Sequence, residues 1–157
     1  MEQEHHYTLD VRWEYERKGT MCSPELSIAG GDNGCIAVAT PPEFPKGMVG
    51  IWSPEHLFTA SVASCFMTTF LAIADNSRLA FNAFNCHAVG ILKQVDKKFQ
   101  MTEVHLSPVV TITDEKDRER ALRVLERTEA NCLITASIKA KVTMTPEVKI
   151  YSTAQQA

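Results

Sequence analysis

The sequence lacks the features by which nucleic-acid-binding and secreted proteins are usually recognised. Lysine and arginine together number 16 against 19 aspartates and glutamates, which gives a formal net charge of −3, and no block of basic residues stands out. This balance disfavours nucleic acid or an anionic membrane as the main partner. The opening residues, MEQEHHYTLD, contain no apolar run, so we expect no secretory signal.

Internal repeats, low-complexity tracts and linker-like stretches are also missing from the sequence. A hydrophobic content of 45% and a charged content of 22% are typical of soluble globular proteins. We therefore predict that residues 1–157 form a single domain, which is long enough to bury a hydrophobic core.

No two of the five cysteines form a C-x-x-C motif. An odd number of cysteines without a secretory signal is typical of free thiols in the cytoplasm, so we expect neither a disulfide framework nor a zinc site. Cys22, Cys35 and Cys86 lie on or beside predicted strands, where a free cysteine usually serves as a small buried hydrophobe. Cys86-His87 does not predict a metal site, because adjacent strand residues point to opposite faces of a sheet.

Alternation of apolar and polar residues predicts most of the strands. Residues 7–15 alternate cleanly and predict a half-buried strand. Residues 22–29 and 35–40 predict two further strands, and the Asn-Gly within the intervening segment 30–34 is a strong hairpin signal. The later strands are expected at 84–95, 99–112 and about 139–146, with a turn at 96–98.

Two helices are expected between these strands. Ser53-Pro54-Glu55 is a typical helix start, because serine caps, proline suits the first position and glutamate suits the positive end of the dipole. This helix should extend to about Asp75, and a second should cover about 115–130 after the cap Asp114. The order of elements predicts an α+β fold with antiparallel sheets and a long buried central helix.

The predicted central helix has almost no polar face. Threonines and serines interrupt its apolar residues, and charged residues close both ends, so a buried helix fits better than a membrane span. One small sheet covers only one side of a helix. We therefore expect a second copy of the chain to cover much of the rest, and hence a homodimer. The apolar positions are Leu57, Phe58, Val62, Phe66, Met67, Phe70, Leu71, Ile73 and Ala74.

Two cysteines stand at positions that could bring them together. Cys65 lies in the middle of the first helix, and steps of four, three and four residues along the second helix lead from Ala121 to Cys132. If that helix extends far enough, Cys132 emerges on its buried side and could meet the first helix. By itself this geometry favours two core cysteines over a reactive pair.

The segments SPEHLF, residues 53–58, and ASCF, residues 63–66, resemble the central helix of the OsmC/Ohr family. These are the osmotically inducible and organic hydroperoxide resistance proteins. The family pattern is Pro-Glu-x-Leu-Phe with a cysteine ten residues after the glutamate, which Glu55 and Cys65 match. A second cysteine follows a helix about 65–70 residues later, as Cys132 does. The element order also matches, so the resemblance covers nearly the whole chain.

The resemblance implies an intertwined homodimer that reduces peroxides, especially organic hydroperoxides. Cys65 would be the peroxidatic cysteine and Cys132 the resolving cysteine, and a dithiol would restore both thiols. No metal or organic cofactor is implied. The family also has an arginine after its first strand that pairs with the glutamate at the helix start, here Glu55. Alignment of the opening strands assigns that arginine to Arg17, with Arg12 as the alternative.

This chemistry requires an ionised thiol. Burial raises the pKa of a thiol, and Cys65 lies too far into its helix to benefit from the dipole. The sequence therefore suggests that a nearby cation such as Arg17 is needed. Ten helical residues span about 15 Å, so Glu55 cannot touch Cys65 of the same chain. A site with both residues must lie at the dimer interface, where Phe58 and Phe66 are expected to line an apolar substrate pocket.

Two other functions stay open from the sequence. A long helix wrapped by antiparallel strands also describes hot-dog acyl-thioester hydrolases, in which Glu55 would be the base. A non-catalytic OsmC-like dimer that binds an apolar ligand or senses oxidation is the second alternative.

Overall fold

The computed structural model describes residues 3–26 and 34–152. The chain forms two compact units, Met1–Leu57 and Phe58–Ala157. The expectation of a single domain over residues 1–157 stays a prediction.

The first unit is built on a three-stranded antiparallel sheet in the order β1-β2-β3. Its strands are β1 (Asp10–Tyr15), β2 (Lys18–Cys22) and β3 (Cys35–Ala39). Gly19 lies opposite Trp13, and a Cβ at this position would collide with the backbone carbonyl of Arg12. A glycine here therefore allows β1 and β2 to pair closely.

Two sequence predictions about this sheet are corrected. The strand expected at 22–29 is wrong, because β2 ends at Cys22 and Pro24–Leu26 form a 3₁₀ turn. Pro24 explains the early end, since proline cannot donate to a strand ladder. Residues 27–33, which include most of the predicted turn, lie outside the described residues. The strand expected at 7–15 exists as β1, but its six residues are exposed rather than half-buried.

The second unit contains the long hairpin predicted at 84–95 and 99–112. Strands β4 (Ala83–Val95) and β5 (Lys98–Ile112) pair antiparallel, with one register shift between Ile91 and Leu92. Asp96 and Lys97 form the turn with φ values of 47° and 65°, as a tight hairpin turn requires.

The last predicted strand, about 139–146, corresponds to one strand, and a further strand that was not predicted follows it. Strands β6 (Lys141–Met144) and β7 (Glu147–Ile150) both pair with β5, and both pairings are parallel. Pro146 separates them, because it lacks the N–H that a continuous strand would use. The second sheet is therefore mixed rather than purely antiparallel, within the predicted α+β class.

The helices follow the capping signals of the sequence. Helix α1 covers Pro54–Asn76, and the Oγ of Ser53 accepts a hydrogen bond from the His56 N–H at 3.2 Å. Asp114 caps a 3₁₀ turn, Glu115–Asp117, so α2 begins only at Arg118 and ends at Asn131. A four-residue helix, α3, follows at Leu133–Ala136.

The hydrophobic core of the second unit is centred on one stripe of α1. The fully buried residues of this helix recur every four positions, at Val62, Phe66, Phe70 and Ala74. The Phe70 ring lies 4.6 Å from that of Phe84, centroid to centroid. The long central helix is thus confirmed as an element. Within one chain, however, its burial is limited to this stripe, and other apolar side chains of α1 are exposed.

Candidate active site

Cys65 lies in the middle of α1 and its side chain is half-buried. The next turn of the same helix presents Thr69, whose Oγ1 is 3.9 Å from the Cys65 sulfur. Cys65 is therefore screened by the core on one side and has a hydroxyl within hydrogen-bond reach of sulfur.

Cys132 lies at the break between α2 and α3, where the backbone turns extended with φ −70° and ψ 111°. Cys132 is only 3% exposed, so it is shielded from solvent. A hydrogen bond with the Cys132 side chain is among the causes that lower the pKa of Cys65, so the two side chains are neighbours. The structure therefore brings together the two cysteines whose helical spacing suggested a meeting.

The environment of Cys65 favours its thiolate. Burial raises the pKa of the Cys65 thiol, but four hydrogen bonds outweigh this effect and hold the pKa below its ordinary value. The donors, from the strongest contribution to the weakest, are the Ile134 backbone N–H, the Cys132 side chain, the Thr69 hydroxyl and the Leu133 backbone N–H. Within one chain these hydrogen bonds to the charged form lower the pKa of Cys65, and the expectation that a cation such as Arg17 adds to this effect stays a prediction.

Cys86 provides the contrast within the same unit. It is half-buried on β4, and burial raises the pKa of its thiol while a backbone hydrogen bond at Ser107 only partly offsets that effect. Its thiol is thus poorly ionised at neutral pH. Nor does its neighbour His87 build a metal centre with it. Among residues 3–26 and 34–152, no three His, Cys, Asp or Glu side chains are grouped to hold a metal ion.

A cavity of about 550 Å³ in the first unit contains the other predicted site residues. Arg17, Arg12 and Glu55 all line it, so the structure brings both candidate arginines to the same cavity as the glutamate. Arg17 is exposed and its backbone carbonyl accepts a hydrogen bond from Thr40 N–H at 3.2 Å. Glu55 is half-buried in the first turn of α1, with Oε2 shielded from solvent. The apolar walls are Val11, Trp13, Val38, Ala39, Pro41, Phe44 and Pro54.

The predicted substrate-binding phenylalanines lie in the core of the second unit. Phe66 is 1% exposed and its ring stacks on that of Phe84 at 6.3 Å. Phe58 is partly buried against the same core. These positions favour a packing role for Phe66, which fixes the turn of α1 that carries Cys65.

Cys22 and Cys35 form a disulfide, which corrects the expectation that both are free thiols. The two residues are directly opposite each other on β2 and β3, with their Cα atoms 4.1 Å apart. Such a cross-strand position allows a disulfide, whereas positions offset along the strands would not. The sequence prediction missed it because it began the second strand at Cys22 instead of ending it there.

Sequence reasoning also missed the donors around Cys65. Thr69 could have been found, because residues four apart face each other on a helix. The N–H groups of Leu133 and Ile134 could not have been found, because no sequence pattern marks the four-residue helix α3 or its contact with α1.

Comparison with known proteins establishes the family. The family model described as OsmC-like protein matches residues 47–147, which is well over half of the chain and includes Glu55, Cys65 and Cys132. The chain belongs to the OsmC-like family. No curated protein matches this OsmC-like protein significantly in sequence.

Solved structures share the fold of this OsmC-like protein. An OsmC-like protein of unknown function from Vibrio cholerae has a TM-score of 0.77 at 24% identity, covering 91% of this chain and 99% of its own. An organic hydroperoxide resistance protein from Elizabethkingia anophelis has a TM-score of 0.70 at 17% identity, with coverages of 96% and 100%. The organic hydroperoxide resistance protein OhrB of Bacillus subtilis has a TM-score of 0.62 at 20% identity, with coverages of 92% and 98%. The predicted family and fold are thereby confirmed.

Proposed function

We propose that this OsmC-like protein is a thiol-dependent peroxidase that reduces organic hydroperoxides, with Cys65 as peroxidatic and Cys132 as resolving cysteine. One observation carries the proposal. The thiol whose pKa is lowered by its surroundings is hydrogen-bonded to a second cysteine. Thiolates are the reactive form of cysteine, and redox-active cysteines are often poised beside a resolving partner. Two of the structural relatives are named organic hydroperoxide resistance proteins, which supports organic hydroperoxides as the substrate class.

The proposed cycle balances with two thiols and one hydroperoxide. The Cys65 thiolate attacks the distal oxygen of the peroxide, the O–O bond breaks, and the alkoxide leaves as an alcohol after protonation. Cys65 is then a sulfenic acid. The Cys132 thiol attacks this sulfur, which forms the disulfide and releases water. An external dithiol reduces the disulfide by thiol–disulfide exchange and is itself oxidised.

The hydrogen bonds around Cys65 suit the first step and the burial of Cys132 suits the second. Donors from Ile134 and Leu133 would stabilise negative charge on sulfur before attack. Cys132 is shielded from solvent and already in contact with Cys65, so a sulfenic acid would meet an intramolecular thiol before a second peroxide. A short path to the disulfide would limit over-oxidation.

The functional form is proposed to be a homodimer. Within one chain the apolar residues Met67 and Leu71 of α1 are 40% and 42% exposed, and Trp13 of β1 is 72% exposed. Length and composition alone would allow α1 to cross a membrane, a test that the central helix of a soluble protein also passes. A second copy that covers this helix and the exposed strand β1 accounts for both surfaces, since large exposed apolar areas usually mark interaction sites.

The proposed active site combines residues of two chains. The continuous helix α1 keeps Glu55 about 15 Å from Cys65 of the same chain. Arg17 and Glu55 of one subunit are therefore proposed to complete the site around Cys65 of the other. Arg17 would hydrogen-bond the peroxide oxygens and stabilise the leaving alkoxide, while Glu55 orients the guanidinium. The apolar walls of their shared cavity would hold the alkyl group.

The test compares four forms of the protein in a peroxide-consumption assay with cumene hydroperoxide and a dithiol: the wild type, Cys65→Ser, Cys132→Ser and the control Cys86→Ser. The wild type and the control are expected to turn over many times. Cys65→Ser should lose at least about a thousandfold in rate, because the nucleophile is gone. Cys132→Ser should reduce one equivalent of peroxide and then stall or over-oxidise.

Two outcomes would contradict the proposal. Undiminished turnover by Cys65→Ser would remove Cys65 from the reaction. A single stoichiometric oxidation of the wild type, with no further turnover in excess dithiol, would instead identify a redox sensor without catalysis.

A further inference from the structure

The peroxidase cycle uses Cys65 and Cys132 and leaves the Cys22–Cys35 disulfide without a role. We propose that Cys22 and Cys35 form a second reversible dithiol–disulfide site, whose reaction partner is a dithiol reductant and whose redox state controls the cavity on the same hairpin. This inference rests on the proposed function, in which that cavity binds the substrate.

The disulfide lies where a reductant can reach it. Cys22 ends β2 and Cys35 begins β3, so the bond closes the last rung of their antiparallel pairing. Both cysteines are half-buried rather than buried, whereas Cys132 is 3% exposed. Thiol–disulfide exchange requires a thiolate to approach a sulfur along the S–S bond, and accessible disulfides are the labile and regulatory ones.

The same two strands form a wall of the cavity. Lys18, Gly19, Val38 and Ala39 all line it, and Gly19 pairs with Val38 three rungs away from the disulfide. Three residues of strand span about 10 Å. An event at the disulfide therefore reaches the cavity wall through a short, directly paired ladder.

The hairpin keeps its register at the cavity end without the disulfide. The Thr40 N–H donates to the Arg17 carbonyl at 3.2 Å, and the Ala39 N–H donates to the Trp52 carbonyl at 2.9 Å. Beyond the disulfide, the Ser23 N–H donates to the Gly34 carbonyl at 3.2 Å. Reduction would thus loosen the ladder between the disulfide and the cavity wall without separating the two strands. The thiols of Cys22 and Cys35 would remain opposite each other, so that the bond can form again within the molecule.

The proposed reaction is a two-electron exchange. One thiolate of the dithiol attacks a sulfur of the Cys22–Cys35 bond, which forms a mixed disulfide and frees the other cysteine. The second thiol of the reductant then attacks the reductant sulfur within the mixed disulfide. This closes a disulfide in the reductant and releases the second cysteine as a thiol. The reductant ends as a disulfide and both cysteines end as thiols. The peroxidase proposed above requires the same class of reductant.

The test is a redox titration that needs no peroxide. The native Cys65→Ser/Cys132→Ser protein is equilibrated with graded ratios of reduced to oxidised dithiothreitol, quenched in acid and alkylated. Mass spectrometry then measures labelling of Cys22, Cys35 and, as an internal control, Cys86. The chain has two tryptophans. Trp13 lines the cavity, and the Trp52 carbonyl accepts a hydrogen bond from the cavity residue Ala39, so tryptophan fluorescence reports on the cavity in parallel.

We expect Cys22 and Cys35 to become labelled together in one transition of the native protein, with a tryptophan signal that changes at the same ratio and returns on re-oxidation. A Cys22→Ser/Cys35→Ser variant should show the reduced signal at every ratio. Failure to label these cysteines until the protein is unfolded in guanidinium would overturn the inference, and so would labelling without a tryptophan change. Because both active-site cysteines are absent, the result stands apart from the success or failure of the peroxidase assay.

Discussion

At the scale of single residues, the main question is what stabilises a negative sulfur within an apolar helix. Within one chain the pKa of Cys65 is lowered without a charged side chain, since three of the four donors are a hydroxyl and two backbone N–H groups, and the fourth is Cys132 itself. Thr69 is the only one of these donors that belongs to the helix of Cys65 and can be changed by mutation without touching the second cysteine. Its contribution can therefore be isolated.

Thr69→Val should make Cys65 less reactive without removing it. Loss of the hydroxyl raises the pKa of the Cys65 thiol, so the thiolate fraction at any pH below that pKa falls. Alkylation by iodoacetamide at pH 7 should slow by roughly two- to tenfold, which is the effect of one modest hydrogen bond. The rate-against-pH curve should move to higher pH, and Cys86 labelling should not change.

Thr69→Ser is the matched control for this experiment. It keeps the hydroxyl and should leave the pH profile close to that of the wild type. If Val and Ser gave the same profile, Thr69 would act by packing and not by hydrogen bonding.

The sequence predicted that Cys65 and Cys132 could meet, but it predicted only part of their surroundings. Cys65 and Cys132 could be related through helical periodicity and family resemblance, because both signals are local. The donation from Ile134 depends on how a four-residue helix contacts α1 across more than sixty residues of chain. The Cys22–Cys35 bond depends on a strand register that the turn signals alone did not fix.

At the scale of elements, the position of α1 depends on its contact with the long hairpin. Gly90 lies on β4 against Thr59 of α1, and a Cβ at Gly90 would collide with the Thr59 side chain and also meet the end of Met101. Thr59 stands six positions before Cys65 on the same helix, so this contact helps to fix the helix that carries the site.

Gly90→Ala should destabilise the fold by about 1–3 kcal/mol, the usual cost of overpacking a close contact. Urea denaturation followed by circular dichroism measures this cost. Thr59→Ala removes the nearest clashing atom, so the double variant should be more stable than the sum of the two single effects predicts. Strict additivity would show that α1 and β4 do not meet closely at this point.

Elements marked by capping or turn residues were predicted well, and the others were not. The start of α1 at Ser53-Pro54 and the turn at Asp96-Lys97 are confirmed, because both are dictated by neighbouring residues. Pro24 and Pro146 end strands that the alternation pattern extended too far. The parallel pairing of β6 and β7 with β5 was missed, since pairing direction depends on partners far apart in the sequence.

At the scale of the whole molecule, the exposed apolar residues of α1 and β1 predict that the protein is a dimer. Leu71→Glu places a charge on the uncovered side of α1. It should raise the dissociation constant of the dimer by at least about tenfold, which analytical ultracentrifugation measures. Ala130→Glu, on an exposed position of α2, is the matched control and should leave the mass unchanged. A wild type that sediments as a monomer at all concentrations would contradict the dimer.

A mixed-dimer experiment tests whether each active site draws on two chains. Arg17→Ala and Cys65→Ser should each be nearly inactive as pure dimers, because one lacks the guanidinium and the other the nucleophile. After the two are unfolded together and refolded, a mixed dimer would pair the intact Cys65 of one chain with the intact Arg17 of the other. Random association should then restore about a quarter of the wild-type rate per chain, since half of the dimers are mixed and each has one complete site.

A site formed within one chain would give no recovery, because neither chain carries both residues. The size of the recovered rate thus separates the two arrangements, and the same mixing with Arg12→Ala in place of Arg17→Ala identifies which arginine serves Cys65.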